Sequence, residues 1–339
     1  MTRFVLGSLF LNCQDQIYSE EYSDFIGNRS LIESKYALDC KQPLGAMFAS
    51  LYLKLSDGYE DGTVYGYYNI PKLFGLQDIG SMESSGILQV RENPDLKLDG
   101  SGVLIGFVDT GIDYAGSIFL KQDGTTRVIA IWDQTIPAGS PIRLPAQPEL
   151  PETLENITRM PEGFLYGSEF THEQLNAAVK MEDAYEGISS RDENGHGTFL
   201  ASIAAGNELP DGSFTGAAPK ADIAMVKLKP AKNRLRAYYQ IKEDAAAYQE
   251  NDIMAGVLYL VSLAKKRQQP LVICLGLGTN AGSHRGGLPL ARMLEEIGSS
   301  VGITIVAGTG NETARGHHFE GQISSESGYE DVEIRVAEG

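Results

Sequence analysis

From residue 102 to residue 310 the chain alternates continuous apolar runs with longer stretches of helical spacing. Residues 102–108 are apolar throughout and end at an aspartate. Runs of that kind form strands buried on both faces of a parallel sheet. The same reading predicts strands at 128–133, 221–228, 271–275 and 303–307. Between them, Leu175, Ala178, Val179 and Met181 share a face of a helix over 171–185. A second helix over 252–266 carries Ile253, Val257, Leu260, Val261 and Ala264, and Lys265-Lys266-Arg267 suit the negative end of its dipole. A third covers 288–297, and small and apolar residues predict one more over 199–206. This alternation predicts an α/β fold with a doubly wound parallel sheet.

Outside that region the pattern changes. Residues 1–95 are rich in Tyr, Ser and acidic residues. Strands are expected at 50–55 and 63–70 and a helix within 31–38, giving a small α+β unit. Glu92-Asn93-Pro94-Asp95 and Asp99-Gly100-Ser101-Gly102 form a turn-rich junction. The proline-rich stretch 137–161 reads as a surface excursion. Near the end, 331–336 begins a new alternating strand.

The chain has 339 residues, 42% of them hydrophobic, and a formal net charge of −17. That charge argues against nucleic acid and anionic membrane as partners. No apolar run reaches the roughly 18 residues that span a bilayer. The run 4–11 behind Arg3 lacks a small-residue cleavage site at Asn12-Cys13-Gln14, so it is not read as a signal peptide. Cys13, Cys40 and Cys274 are odd in number, and their spacing suits neither a disulfide framework nor zinc. Cys274 reads as a buried structural thiol. A reducing compartment such as the cytoplasm is expected.

Candidate chemistry centres on Asp192-Glu193-Asn194-Gly195-His196-Gly197-Thr198. A histidine between two glycines, running into a packed helix, is exposed yet stiffly mounted, as a general base must be. A polar helix start would leave the same signature. Asp109 ends an apolar strand and is followed by Thr110-Gly111, where open α/β sheets place their sites. Asn311 follows the strand at 303–307. An acid can orient a histidine, the histidine can take a proton from a hydroxyl, and an amide can donate to an oxyanion. His172 reads as a solvated polar residue. Asp109 with Asp113, or His317 with His318, lacks a third metal ligand at a suitable spacing.

Asp109-Thr110-Gly111-Ile112-Asp113 and Asn194-Gly195-His196-Gly197-Thr198 resemble the aspartate and histidine motifs of the subtilisin-like serine proteases. Gly216-Ala217-Ala218-Pro219 resembles the turn that follows, and Ala307-Gly308-Thr309-Gly310-Asn311 the oxyanion motif, with Thr309 where a small residue is usual. Gly276-Leu277-Gly278 resembles the segment that binds substrate as an added strand, though the family more often has Ser at the position of Gly276. Ile131-Trp132-Asp133-Gln134-Thr135, Val226-Lys227-Leu228-Lys229 and Tyr248-Gln249-Glu250-Asn251-Asp252-Ile253 are similar to the clostridial spore-germination (Csp) type.

The resemblance implies a serine endopeptidase with Asp109, His196 and Asn311 in the site and a polypeptide substrate along Gly276, Leu277 and Gly278. It implies a prodomain over 1–75, a catalytic domain over 76–320, and the start of an inserted β jelly-roll at 321–339. The prodomain is then a partner of its own catalytic domain. No cofactor is expected; calcium is common in the family, and no site for it is assigned. No Gly-Thr-Ser nucleophile motif occurs, and 28 residues follow Asn311. The chain is therefore expected to be the N-terminal part of a subtilase, inactive by itself. The other reading is a non-catalytic relative that binds or regulates partners in spore germination.

Overall fold

The computed structural model describes residues 13–35, 40–54, 69–76, 98–145, 157–282, 285–311, 319–323, 328–329 and 331–332. Its centre is a six-stranded sheet. In chain order the strands are β5 (Leu104–Asp109), β6 (Val128–Asp133), β7 (Ser168–Thr171), β8 (Asp222–Lys227), β10 (Leu271–Leu275) and β12 (Ile303–Ala307). Their spatial order is β12-β10-β5-β8-β6-β7. All neighbours pair parallel except β6 and β7 at one edge. β5 and β6 are buried at every position, as their uninterrupted apolar sequences require.

Helices cover both faces. After the short helix α5 (Asn233–Tyr238) comes the long helix α6 (Glu250–Arg267), whose Val257 and Leu260 face Leu104 and Val108. Ile105 and Phe107 face Leu200 and Ala201 of α4 (His196–Ala205). Gly106 brings α6 close to β5: a Cβ there would lie 2.7 Å from Leu260 Cδ1. α7 (Pro289–Gly298) packs on α6 and β12.

The expected helix over 171–185 is two pieces. Thr171 and Gln174 form a capping box that starts α2 (His172–Ala178), and Asp183 accepts from Tyr185 N to start α3 (Ala184–Gly187). A competing cap so close to the first helix breaks the apolar period.

The N-terminal residues build a separate antiparallel sheet of order β1-β3-β2, from β1 (Tyr22–Asn28), β2 (Cys40–Leu44) and β3 (Phe48–Lys54). None of these strands joins the six-stranded sheet. α1 (Arg29–Lys35) covers it through Ile32, against Ala49 and Leu51. Of the strand expected at 63–70, residues 63–68 lie outside the described residues, and Asn69 and Ile70 are not in a strand. Most of 331–336 lies outside them as well.

Contrary to the expectation from spacing, Cys13 and Cys40 are disulfide-bonded, with Cα atoms 5.4 Å apart. The helical segment at 13–18 folds back beside β2, a proximity that sequence spacing does not encode.

Polar groups buried to an unusual degree join this sheet to the larger one. Lys232 pairs with Asp24, and both are almost fully buried. Asp24 also accepts from Gln249 Nε2 at 2.9 Å and Asn251 Nδ2 at 3.1 Å. Behind it, Lys229 pairs with Asp252 at 2.7 Å, and Tyr166 donates to Asp252 at 2.8 Å. Burial pushes the Asp252 carboxyl up, against the pull of Lys229. Tyr18 donates to the Gln134 carbonyl, and Ala138 N to Gln14 Oε1.

Removing one member of a buried pair strands the other charge. Lys232→Met is therefore expected to cost about 3–5 kcal/mol in denaturant unfolding. Adding Asp24→Leu should recover a large part of it; no recovery would mean that Lys232 acts through packing alone.

Candidate active site

Asp109 is the last residue of β5, and its Oδ1 accepts from the Thr110 backbone N–H at 2.7 Å. The same oxygen lies 2.8 Å from His196 Nδ1, across 87 residues of sequence. Asp109 is buried, and the His196 side chain is 14% exposed. The acid is thus fixed and the imidazole reachable.

His196 opens α4, whose N-cap is Gly195 in a left-handed conformation with φ 88°. Glycine adopts that conformation without penalty but brings no side chain to cap the helix. Asp192 does so instead. Its Oδ1 accepts from Gly195 N at 2.9 Å, and its Oδ2 from Thr198 N at 2.9 Å and Thr198 Oγ1 at 2.8 Å. Thr110 Oγ1 also donates to Asp192, at 2.8 Å, and accepts from Gly197 N at 2.9 Å. Asp192 therefore touches the segments on both sides of the Asp109–His196 pair. Burial pushes its carboxyl up, but the bonds from Thr198, Thr110 and Gly195 win and hold it below the ordinary range. From sequence, Asp192 stands at the head of the histidine motif with no role assigned to it. An aspartate four residues before the histidine, at a helix start, was the available signal.

The segment predicted to pair with substrate is β11 (Leu277–Gly278), directly after β10. It is already paired. β4 (Leu73–Leu76) lies antiparallel to it, with Leu76 opposite Leu277 and Gly75 opposite Gly278. On its other side β4 pairs with β9 (Tyr248–Gln249), giving the order β11-β4-β9. Phe74 of β4 is buried in a cluster with Tyr248, Ile253, Leu277 and Leu290. Glu250 closes the end of this ladder, accepting from Lys72 N at 3.2 Å and Leu290 N at 3.0 Å. No strand is expected at 73–76 from sequence, since four residues carry too little period to be recognised.

Gly276 sits against the Asp109–His196 pair. A Cβ there would lie 2.2 Å from Leu200 Cδ1 and 3.1 Å from both Asp109 Oδ2 and His196 Cε1. Leu200 thus fills the space that a side chain at 276 would need. Asn311 is exposed, four residues past β12, at the carboxyl end of the sheet that also carries Asp109. Its loop is anchored where Gly308 N donates to the Leu275 carbonyl at 3.2 Å.

His172 is bonded rather than free in solvent: its Nε2 lies 2.9 Å from the Thr126 carbonyl. His317 and His318 lie outside the described residues. Among the described residues, no group of three or more His, Cys, Asp or Glu side chains is placed to hold a metal ion. Cys274 is partly buried in β10, and burial pushes its thiol up to about 11.

Three outcomes are expected. Gly276→Ser should destabilise the fold by about 1–3 kcal/mol by overpacking, and Leu200→Ala should relieve that cost when combined with it. Additive losses in the double variant would separate the two sites. Asp192→Asn should cost about 1–3 kcal/mol at neutral pH through lost charge-assisted bonds. Because the folded carboxyl of Asp192 is depressed, its contribution is complete above the unfolded value of about 3.9 and lost as pH falls through the folded value. Stability measured from pH 5 to 2 should fall less steeply in Asp192→Asn than in the unaltered protein. Cys274 should resist alkylation at pH 8 in the native state and react on unfolding; rapid native labelling would contradict the raised thiol.

The profile of the subtilase family of S8 peptidases matches residues 100–333. Over 136 residues the chain is 31% identical to the subtilisin-like protease SBT3.8 of Arabidopsis thaliana, a match covering 38% of this chain and 16% of that protein. Among solved structures it is similar to the CspB protease of Clostridium perfringens, at 29% identity and a TM-score of 0.49, covering 66% of this chain and 39% of that one. The chain therefore spans well under two thirds of the length of either relative. With the profile running through the strands and loops that carry Asp109, His196 and Asn311, the chain belongs to the subtilase family of serine peptidases.

Proposed function

We propose that this chain carries the acid, the base and the oxyanion donor of a subtilisin-type serine endopeptidase of the Csp kind. The observation that carries the reading is the 2.8 Å contact between His196 Nδ1 and Asp109. With Nδ1–H held by a carboxylate, the imidazole keeps the tautomer whose Nε2 can accept a proton from a serine hydroxyl. Asp109 then stabilises the imidazolium that forms. Asn311 donates to the oxygen of the tetrahedral intermediate. The substrate polypeptide lies extended along Gly276, Leu277 and Gly278, with main-chain bonds supplying affinity and side-chain pockets supplying selectivity. No residue of the 339 is assigned as the nucleophile, because no Gly-Thr-Ser sequence is among them.

Residues 1–75 act as a prodomain in this reading. Support comes from β4, which takes the middle position in the β11-β4-β9 ladder. An extended strand paired antiparallel to Leu277 and Gly278 is the arrangement expected of a bound polypeptide.

The test is a serine-directed fluorophosphonate applied to the protein purified from its native host and, separately, to these 339 residues alone. One labelled serine is expected in the native product, with labelling abolished by His196→Ala. The 339 residues alone should remain unlabelled and should leave an unstructured protein substrate intact. A native product without a labelled serine would overturn the peptidase reading.

A further inference from the structure

The described residues include one buried lysine that the proposed chemistry does not use and that stands beside Asp109. Lys227 ends β8, and it is opposite Asp109 on one side and opposite Asp133 on the other. Paired residues of parallel strands project to the same face, so Asp109, Lys227 and Asp133 form a row across three strands at the carboxyl edge. All three are buried. A lysine buried at such a place needs partners for its ammonium protons.

Those partners come from the loop that carries His196. Lys227 Nζ donates to the Arg191 carbonyl at 2.6 Å and to Glu193 Oε2 at 2.6 Å, and lies 4.0 Å from Asp133 Oδ2. Next along the row, Asp133 accepts from Ser190 Oγ at 2.7 Å, while its other oxygen is held by Thr135. At the far end Asp109 meets His196. Three neighbouring side chains of the sheet thus fasten residues 190, 191, 193 and 196 in order.

We propose that Lys227 is a positioning residue for His196, fixing the loop 190–196 so that the imidazole stays on Asp109. This inference rests on the reading of Asp109 and His196 as a functional pair, and it concerns their geometry rather than turnover. A Lys227 that served only to stabilise the fold would change melting without changing the state of the imidazole in the molecules still folded.

The experiment uses the full 339-residue chain with uniform 15N labelling. The His196 Nδ1–H resonance is assigned by its loss in His196→Gln. In Lys227→Met, at a temperature where circular dichroism shows a folded chain, this resonance should disappear by exchange. Backbone amides of 194–197 should exchange at least about tenfold faster. Lys227→Arg, which can still reach a carbonyl and a carboxylate, should restore both. A folded Lys227→Met that keeps the resonance would overturn the proposal, as would a failure of Lys227→Arg to restore it. Should Lys227→Met not fold, Ser190→Ala with Glu193→Ala, which leaves the sheet row intact, decides: faster exchange at 194–197 and a weakened resonance support the proposal, and unchanged values overturn it. A negative fluorophosphonate result with the His196 resonance intact would refute only the peptidase reading.

Discussion

The contact between Asp109 and His196 imposes a tolerance of a few tenths of an ångström on segments 87 residues apart in sequence. A single hydrogen bond cannot hold them there, since its net contribution is only about 1 kcal/mol. The surroundings must bring the two side chains together already oriented. Parallel register does so on one side: β5 lies between β10 and β8, buried at every position, so Asp109 emerges at a fixed height. On the other side the histidine loop is tied at nearly every residue. Asp192 binds its own helix start and Thr110, and Gly276 leaves room for Leu200 behind the imidazole.

The N-terminal sheet obeys a different physics. Apolar packing joins it to the larger body, but so do charges with almost no solvent, above all Asp24, Lys232, Lys229 and Asp252. Such pairs add little net stability over a well-packed apolar equivalent. Their effect is geometric, because an ammonium with three directed donors fits one arrangement and fails in its neighbours. Lys232 reaches the Tyr22 carbonyl and Asp24 together, and a slip of one residue in β1 would lose both.

Much of this was legible in the sequence. Each strand of the central sheet except short β7 announced itself as an apolar run; in β5 and β6 burial on both faces leaves no place for alternation, whereas β12 at the edge is largely exposed. Asp109 and His196 were legible from the glycines beside them and from a motif shared with a known family. What escaped was set by tertiary contact. Cys13 and Cys40 meet only because a helical segment folds back onto β2. Asp192 and Lys227 look like ordinary charges until the sheet places them. β4 has four residues, and its identity as a strand comes from β11 and β9 rather than from its own composition. The predicted helix over 171–185 failed where a local cap at Asp183 outcompeted the apolar period.

Under the proposed reading of Leu277 and Gly278 as a peptide-pairing strand, the placement of β4 bears on how any other peptide could pair there. β4 belongs to the same chain as the strands on either side of it, so its return to β11 is a unimolecular event. Tethered segments of this kind reach effective concentrations on the order of millimolar. A free peptide of equal intrinsic affinity, present at micromolar concentration, would take its place about one time in a thousand. Under that proposed reading, occupancy of β11 by other polypeptides depends on the covalent continuity of the chain on either side of β4. Breaking that continuity on both sides turns an internal competitor into an ordinary ligand, whose hold then depends on concentration.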